Sequence, residues 1–207
     1  MPSISYAITA CNEHVELERL LNQLDSSIRD EDEIIIQLDV TATEEVKKIA
    51  STSRYKKLTT VITIPLNRDF ASFKNHLKGY CTKEYIFQID ADEYLSESLT
   101  QLLPEVLELN PEIDIYAVPR INIVEGLTQE HIQKWGWNVD ENGWVNYPDY
   151  QIRICKNNKD INWEGKVHEK LTSPKSYILS PLPVGYELIH PKTIERQEIQ
   201  NNFYEQL

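Results

Sequence analysis

The sequence has no CxxC pair, no basic leader and no apolar run long enough to cross a bilayer, and each absence removes a class of protein. Its three cysteines, Cys11, Cys81 and Cys155, are an odd and widely spaced set. That argues against a zinc site or a disulfide framework and for a reducing cytoplasm. The N-terminal MPSISYAITACNE lacks a basic segment followed by an apolar core, and nowhere do about 18 apolar residues follow one another. Such a chain is expected to be neither secreted nor membrane-spanning by itself. Internal repeats, low-complexity tracts and linker-like stretches are also missing, so the 207 residues are read as one compact domain, 1–207. Positive charge is scarce: 21 Lys and Arg stand against 33 Asp and Glu, a net charge of −12. This balance speaks against nonspecific binding to nucleic acid or anionic membrane, and an anionic substrate would need local cations or a metal.

What is present is an alternation. Four short apolar runs, ISYAIT (4–9), EIIIQLD (33–39), TTVITIP (59–65) and EYIFQID (84–90), are separated by helical patterns. Near-continuous Ile, Val, Tyr and Phe in runs of this length predict strands buried on both faces. Between the first two, Val15, Leu17, Leu20, Leu21 and Leu24 recur at helical spacing, with Asn12 or Glu13 near the start. TEEVKKIAS and DFASFKNHLKGY supply two more helices, so the first half reads as βαβαβαβ with a parallel sheet. The second half changes character. A helix over 97–109 is followed by the strand-like DIYAVPRINIV and an aromatic stretch, WGWNVDENGWVNYP. YQIRICK, INWEGKVHEKL and YILSPLPVGYELIH then read as strands of a smaller mixed or antiparallel region, with a turn at NNKD (157–160) and a final amphipathic helix from residue 192.

In an open α/β sheet, ligands sit outside the carboxyl ends of the strands. Those ends carry Thr9, Cys11, Asn12 and Glu13, then Asp39, then Asn67 and Arg68, then Asp90, Asp92 and Glu93. Four consecutive polar ends describe a cleft for a polar ligand. The acids of DADE repel one another unless a cation or a set of donors compensates them. One account is an acidic helix start with Ser96 as cap. An EF-hand loop is excluded, because its fifth, sixth and twelfth positions from Asp90 would be Tyr94, Leu95 and Gln101. An aspartyl-phosphatase motif would follow the first strand, where TACNE stands instead. A hard divalent cation, Mg²⁺ or Mn²⁺, fits: Asp92 reaches it, while Asp90 binds it through water or holds a sugar hydroxyl.

The segments ITACNE, EIIIQLD, FASFKNHLKGYCTKEYIFQIDADE and YPDYQIRICKN with INWEGKVHEKL together resemble the family 2 glycosyltransferases of GT-A fold, in particular their small lipopolysaccharide-core-like bacterial and viral members. The likeness runs from residue 3 to residue 190. It implies a GT-A-like, mostly parallel sheet flanked by helices, with residues 1–95 binding the nucleotide sugar and 96–207 shaping the acceptor site. The implied reaction is an inverting, metal-assisted transfer from a nucleotide-diphosphate sugar to a hydroxyl of a glycan or glycolipid. Thr9, Ala10, Cys11, Asn12 and Glu13 would line the nucleotide pocket, Asp39 would accept from the base, and Lys74 would lie near the phosphates. Uracil is the expected base and UDP-glucose the favoured donor. Asp90, Ala91 and Asp92 would form the metal and sugar motif, with His168 a third ligand or a diphosphate contact. Asp149 is the expected general base and Glu169 its rival. The usual Ser-x-Asp after the second strand is replaced by VTATEE, which leaves the ribose contacts open.

Plainer roles stand beside these. Asp39, Thr41 or Thr43 would cap the next helix, Lys74 would be a solvated charge, His168 a strand residue and Asp149 a turn cap after Pro148. Trp135, Trp137, Trp144 and Trp163 would be packing, or part of a loop over a sugar. Two further functions remain open: a nucleotidyltransferase, although no Gly-rich basic loop follows the first strand, and a noncatalytic carbohydrate-binding module that keeps the fold without turnover.

Overall fold

The first half folds as its alternation demands. In the computed structural model, which describes residues 1–204, β1 (Ile4–Ala10), β2 (Glu33–Asp39), β3 (Leu58–Ile64) and β4 (Tyr85–Asp90) lie parallel in the order β3-β2-β1-β4. Helices α1 (His14–Ser27), α2 (Glu44–Ala50) and α3 (Phe70–Lys78) connect them. Leu17, Leu20, Leu21 and Leu24 of α1 are fully buried, whereas Val15 is 64 % exposed, because it falls off the stripe those leucines form. Strands β1, β2 and β4 are covered on both faces, but β3 is not: it is the edge strand and alternates inward and outward residues. Helix α2 is capped by Thr43, whose side chain accepts from Val46 N, and α4 (Glu97–Leu109) by Ser96, which accepts from Leu99 N.

The second half forms the mixed region expected of it, and that region continues the main sheet. Strand β7 (Trp144–Lys156) runs antiparallel to β4, β6 (Ile115–Glu125) antiparallel to β7, and β11 (Leu188–Thr193) parallel to β6. Strands β5 (Tyr94–Leu95) and β10 (Leu179–Pro181) pair with β11 and β6, completing one nine-stranded mixed sheet. Only β8 (Asn162–Glu164) and β9 (Lys170–Thr172) stand apart, as a hairpin tied to α3 by Asn75, which bonds both Trp163 N and Trp163 O. The stretch YILSPLPVGYELIH therefore splits in two, broken by Pro183 and by Gly185, whose φ of +110° suits a turn.

The aromatic stretch joins the end of a short helix to the start of β7 through a loop over 136–143. A short helix, α5 (Gln129–Trp135), ends at Gly136, and Trp135 and Trp137 pack under Val124, Val145 and Ile194. Trp163 is buried beneath α3, and Trp144 meets Tyr147 edge-on at 4.8 Å. The last helix, α6 (Ile194–Tyr204), begins two residues later than expected, and residues 205–207 of the expected domain lie outside the described residues. Among the described residues no helix is long and apolar enough to cross a membrane.

Candidate active site

The carboxyl ends of β1 and β4 are bound together by Thr9, whose Oγ1 donates to Asp90 Oδ1 at 3.0 Å and whose carbonyl accepts from Ala91 N at 3.0 Å. After β1 and Ala10, the Glu13 carboxylate folds back and accepts from Cys11 N at 2.7 Å and Asn12 N at 3.0 Å, shaping the loop that opens α1. Cys11 Sγ lies 3.6 Å from Thr41 Oγ1, and burial pushes its thiol pKa up. Asp39 ends β2 and is itself occupied. Oδ1 accepts from both the backbone and the hydroxyl of Thr41, and Oδ2 accepts from Leu66 N at 2.6 Å. Burial works to raise its pKa, but these bonds, led by the Thr41 hydroxyl, bring it below the ordinary carboxylate value.

The acidic end of β4 finds much of its compensating charge within the chain. Arg153, buried on β7, donates from Nη2 to Asp90 Oδ2 at 2.6 Å and to Glu93 Oε1 at 2.8 Å. Glu93 has no exposure at all and also accepts from Arg120 Nη1 at 3.1 Å and from Asp90 N at 3.1 Å. Lys74, buried on α3, lies 2.6 Å from Glu169 and 3.6 Å from Asp90, with its ammonium 4.9 Å from the Trp163 ring centroid. It is therefore no solvated charge. Burial opposes ionisation of Asp90, but Arg153 and then Lys74 outweigh it and hold the carboxyl far below its usual range.

Asp92 is held differently. His190 Nε2, on β11, is 3.2 Å from Asp92 Oδ2, and Arg196 Nη2, on α6, is 3.4 Å from the same oxygen. Burial raises the Asp92 pKa, and the His190 imidazole, its charge effect first and its hydrogen bond second, brings it down to about 2. The other ring nitrogen of His190 lies 3.0 Å from Asn122 Oδ1, and Asn122 Nδ2 donates to Asp149 Oδ2 at 2.9 Å. Two side chains thus join Asp92 to Asp149. Arg120 donates to the same Asp149 oxygen from Nε at 3.0 Å and Nη2 at 2.7 Å, while Gln151 donates to Oδ1 at 2.7 Å. Asp149 caps no turn: it lies within β7, opposite Arg120.

Among the described residues no three His, Cys, Asp or Glu side chains are grouped as a ready metal cage, so Asp90, Asp92 and His168 do not form a preassembled trio. His168 occupies the β8–β9 turn with φ at +55°, and the histidine that meets Asp92 is His190. The donor set still fits a hard divalent cation that keeps water and substrate oxygens in most positions. Both oxygens of Asp90 are engaged, but both contacts to Asp92 fall on Oδ2, so Oδ1 is the oxygen placed to meet a cation.

The ionised acids couple the site to stability. Folded pKa values below the unfolded ones contribute stability that is present above the unfolded value and lost as pH falls through the folded value. With metal chelated, the melting temperature is expected to hold from neutrality to about pH 5 and then to fall steeply below about pH 4. The Asp92 share, on the order of 2 kcal/mol, disappears as pH drops toward about 2. Thermal melts at each pH for the native chain and Asp92→Asn check this. An equally steep acid loss in the variant would remove Asp92 from the account.

An open groove of about 870 Å³ lined by Met1, Glu84, Leu107 and Lys156 lies at the other end of the sheet, where β4 begins and β7 ends. It is remote from these side chains.

The model of Glycosyl transferase family 2 matches residues 5–166. Solved structures resemble the chain in fold. TarS 1-349 of S. aureus superposes with a TM-score of 0.59 at 14 % identity, over 92 % of this chain and 60 % of that one. The same protein in complex with UDP-GlcNAc gives 0.60 at 17 % identity, over 93 % and 59 %. The chain thus spans about three-fifths of these TarS structures.

Proposed function

The chain belongs to glycosyl transferase family 2, and on that premise we propose that it moves a sugar from a UDP-sugar to a hydroxyl of a glycan or glycolipid with inversion at the anomeric carbon. The observation that carries the proposal is the chain of contacts Asp92–His190–Asn122–Asp149, with steps of 3.2, 3.0 and 2.9 Å. It holds one carboxylate on the β4 side, where the diphosphate leaves, and another on the β7 side, where a hydroxyl attacks.

Residues 1–95 bind the donor and the remainder shapes the acceptor side. Thr9, Ala10, Cys11, Asn12 and Glu13 line the nucleotide, and Asp39 accepts from the uracil N3–H with a lone pair its loop bonds leave over. Asp92 would hold Mn²⁺ or Mg²⁺, which when bound would supply Lewis-acid neutralisation of the leaving diphosphate. Asp90, fixed by Arg153 and Thr9, positions the Asp92 loop and takes a sugar hydroxyl. Asp149 removes the acceptor proton. Lys74 carries positive charge to the cleft and at the same time holds Glu169 at 2.6 Å, which suits Glu169 to a supporting role. Cysteines without a CxxC pair support a reducing compartment, the cytoplasm.

Mixing the protein with Mn²⁺ and a panel of nucleotide sugars tests the proposal, because a transferase is expected to leak donor to water and release nucleoside diphosphate. No release and no nucleotide binding would leave a noncatalytic module. Among donors, UDP-glucose is the first choice. Calorimetry is expected to show UDP bound about tenfold or more tighter than GDP or ADP, since a purine presents a different donor edge to Asp39. Equal affinities would remove Asp39 as the base reader. The uridine nucleotide in the TarS complex is consistent with this choice.

A further inference from the structure

A second cavity, of about 300 Å³, opens between α1 and the ends of β6 and β11. Its apolar wall is Val15, Ile123 and Pro191, and its basic groups are Arg19, Lys192 and Arg196. Arg196 connects it to the site described above: the guanidinium that lines the crevice is also 3.4 Å from Asp92, 2.8 Å from Glu16 and 3.2 Å from Glu13. The other two cations are not spent in this way. Arg19 sits over the Tyr94 ring, its guanidinium carbon 4.1 Å from the centroid, and Lys192 Nζ is 3.3 Å from Gln200 Oε1. Among the described residues neither forms an ion pair. The two acids in the lining do not change this, since Glu16 is bound to Arg196 and Glu125, the last residue of β6, pairs with neither cation.

In a chain of net charge −12, the exposed Arg19 and the half-buried Lys192 line one crevice without a carboxylate partner among the described residues. Lys192 stands on β11 opposite Val124, two residues beyond His190 on the same strand face, and feels the charges of Arg120, Asp92, Arg196 and Asp149. Burial first, and the charge of Arg120 next, hold its pKa down to about 8 against the pull of Asp92. Such a group lacks a close anion. Arg19 is already oriented by its stacking, and a guanidinium fork matches the paired oxygens of a phosphate or carboxylate. The apolar wall suits the carbon face of a sugar.

We propose that this crevice holds an oxyanion carried by the acceptor, a phosphate or a carboxylate on a sugar, bound by Arg19 and Lys192. The proposal rests on the transferase function above, because Arg196 makes the crevice the neighbour of Asp92. The acceptor is then an anionic saccharide, and its charge selects it over neutral sugars at a site where the protein is otherwise repulsive to anions.

Calorimetry with inorganic phosphate, glucose 6-phosphate and glucuronate, each titrated without and with saturating UDP, tests this in the native chain, Arg19→Gln and Lys192→Met. Expected is binding of at least one of the sugar anions and of phosphate, weakened about tenfold or more in either variant. Glucose 6-phosphate binding alone among the sugars assigns the oxyanion as phosphate, and glucuronate alone as carboxylate. Absence of all binding to the native chain, unchanged affinities in both variants, or loss of the phosphate signal when UDP is added would overturn the proposal; the last would give the crevice to the donor. UDP titrated alone separates the two levels. Anion binding sensitive to both variants in a chain that ignores UDP keeps the crevice and removes the transferase function. Melting temperatures near that of the native chain confirm that both variants fold.

Discussion

Asp92→Asn is expected to remove metal-dependent turnover, lowering kcat about a hundredfold or more with Mn²⁺ or Mg²⁺. The volume hardly changes, and the amide oxygen still accepts from His190 or Arg196, so the fold is expected to persist at neutral pH. What is lost is a charged oxygen for a hard cation. Asp90 cannot take over, because Arg153, Lys74 and Thr9 engage both of its oxygens. The measurement is release of UDP from UDP-glucose, with and without chelator, in both proteins. The native rate with chelator is expected to resemble the variant's rate with metal. Near-normal metal-stimulated activity in Asp92→Asn would show that the cation is held elsewhere.

The acids of this site were legible in the sequence, and the cations that hold them were not. DADE announces itself because three carboxylates end an apolar run. Arg153 and His190 join them from 63 and 98 positions away, and only the sheet order β4-β7-β6-β11 brings them together. A signal existed: Arg120 and Arg153 interrupt YAVPRINIV and YQIRICK, and a charge inside a buried strand requires a partner. Its identity still depends on non-local pairing. His190 closes the apolar run YELIH in the same manner, yet the adjoining VHE of the family likeness drew attention to His168 instead.

The fold divides along the same line. Strands β1, β2 and β4 are continuous β-branched or aromatic runs with helices between them, so local pattern and long-range structure agree. For β3, the outward residues Thr59, Val61 and Thr63 mark an edge strand, and the run was too apolar for that alternation to stand out. The second half was divided correctly into strands in part, but antiparallel joining of β7 to β4 is a tertiary fact. Nothing local in YQIRICK distinguishes a separate small sheet from an extension of the main one. The Trp135 and Trp137 pair shows the converse: their spacing beside Gly136 suggests a loop, while the Ile194 packing that half-buries them comes from the far end of the chain.

Asp149→Asn is expected to lower kcat about a hundredfold or more while UDP affinity stays near that of the native chain. An inverting transfer needs its base on the side of the sugar away from the diphosphate, which excludes Asp90 and Asp92. Asp149 and Glu169 remain. Glu169 has a 13 % exposed side chain bound at 2.6 Å to Lys74, which occupies one of its oxygens. Asp149 is 27 % exposed, and three of its four hydrogen bonds converge on Oδ2, two from Arg120 and one from Asn122. Only Gln151 reaches Oδ1, which is the oxygen left to accept a proton. Burial raises the Asp149 pKa, but Arg120 and then the Asn122 bond depress it, so the group is ionised and ready throughout the neutral range. As base, its contribution to kcat is expected to be lost as pH falls through that lowered value, with the acid limb of the rate profile below about pH 4. Asn at this position keeps an acceptor for Arg120, which also retains Glu93, so the variant is expected to fold and to bind UDP. Glu169→Gln is the companion measurement: it frees Lys74 from its closest partner and is expected to weaken donor binding rather than the chemical step. Full turnover in Asp149→Asn, with collapse of kcat in Glu169→Gln at unchanged UDP affinity, would transfer the role of base to Glu169.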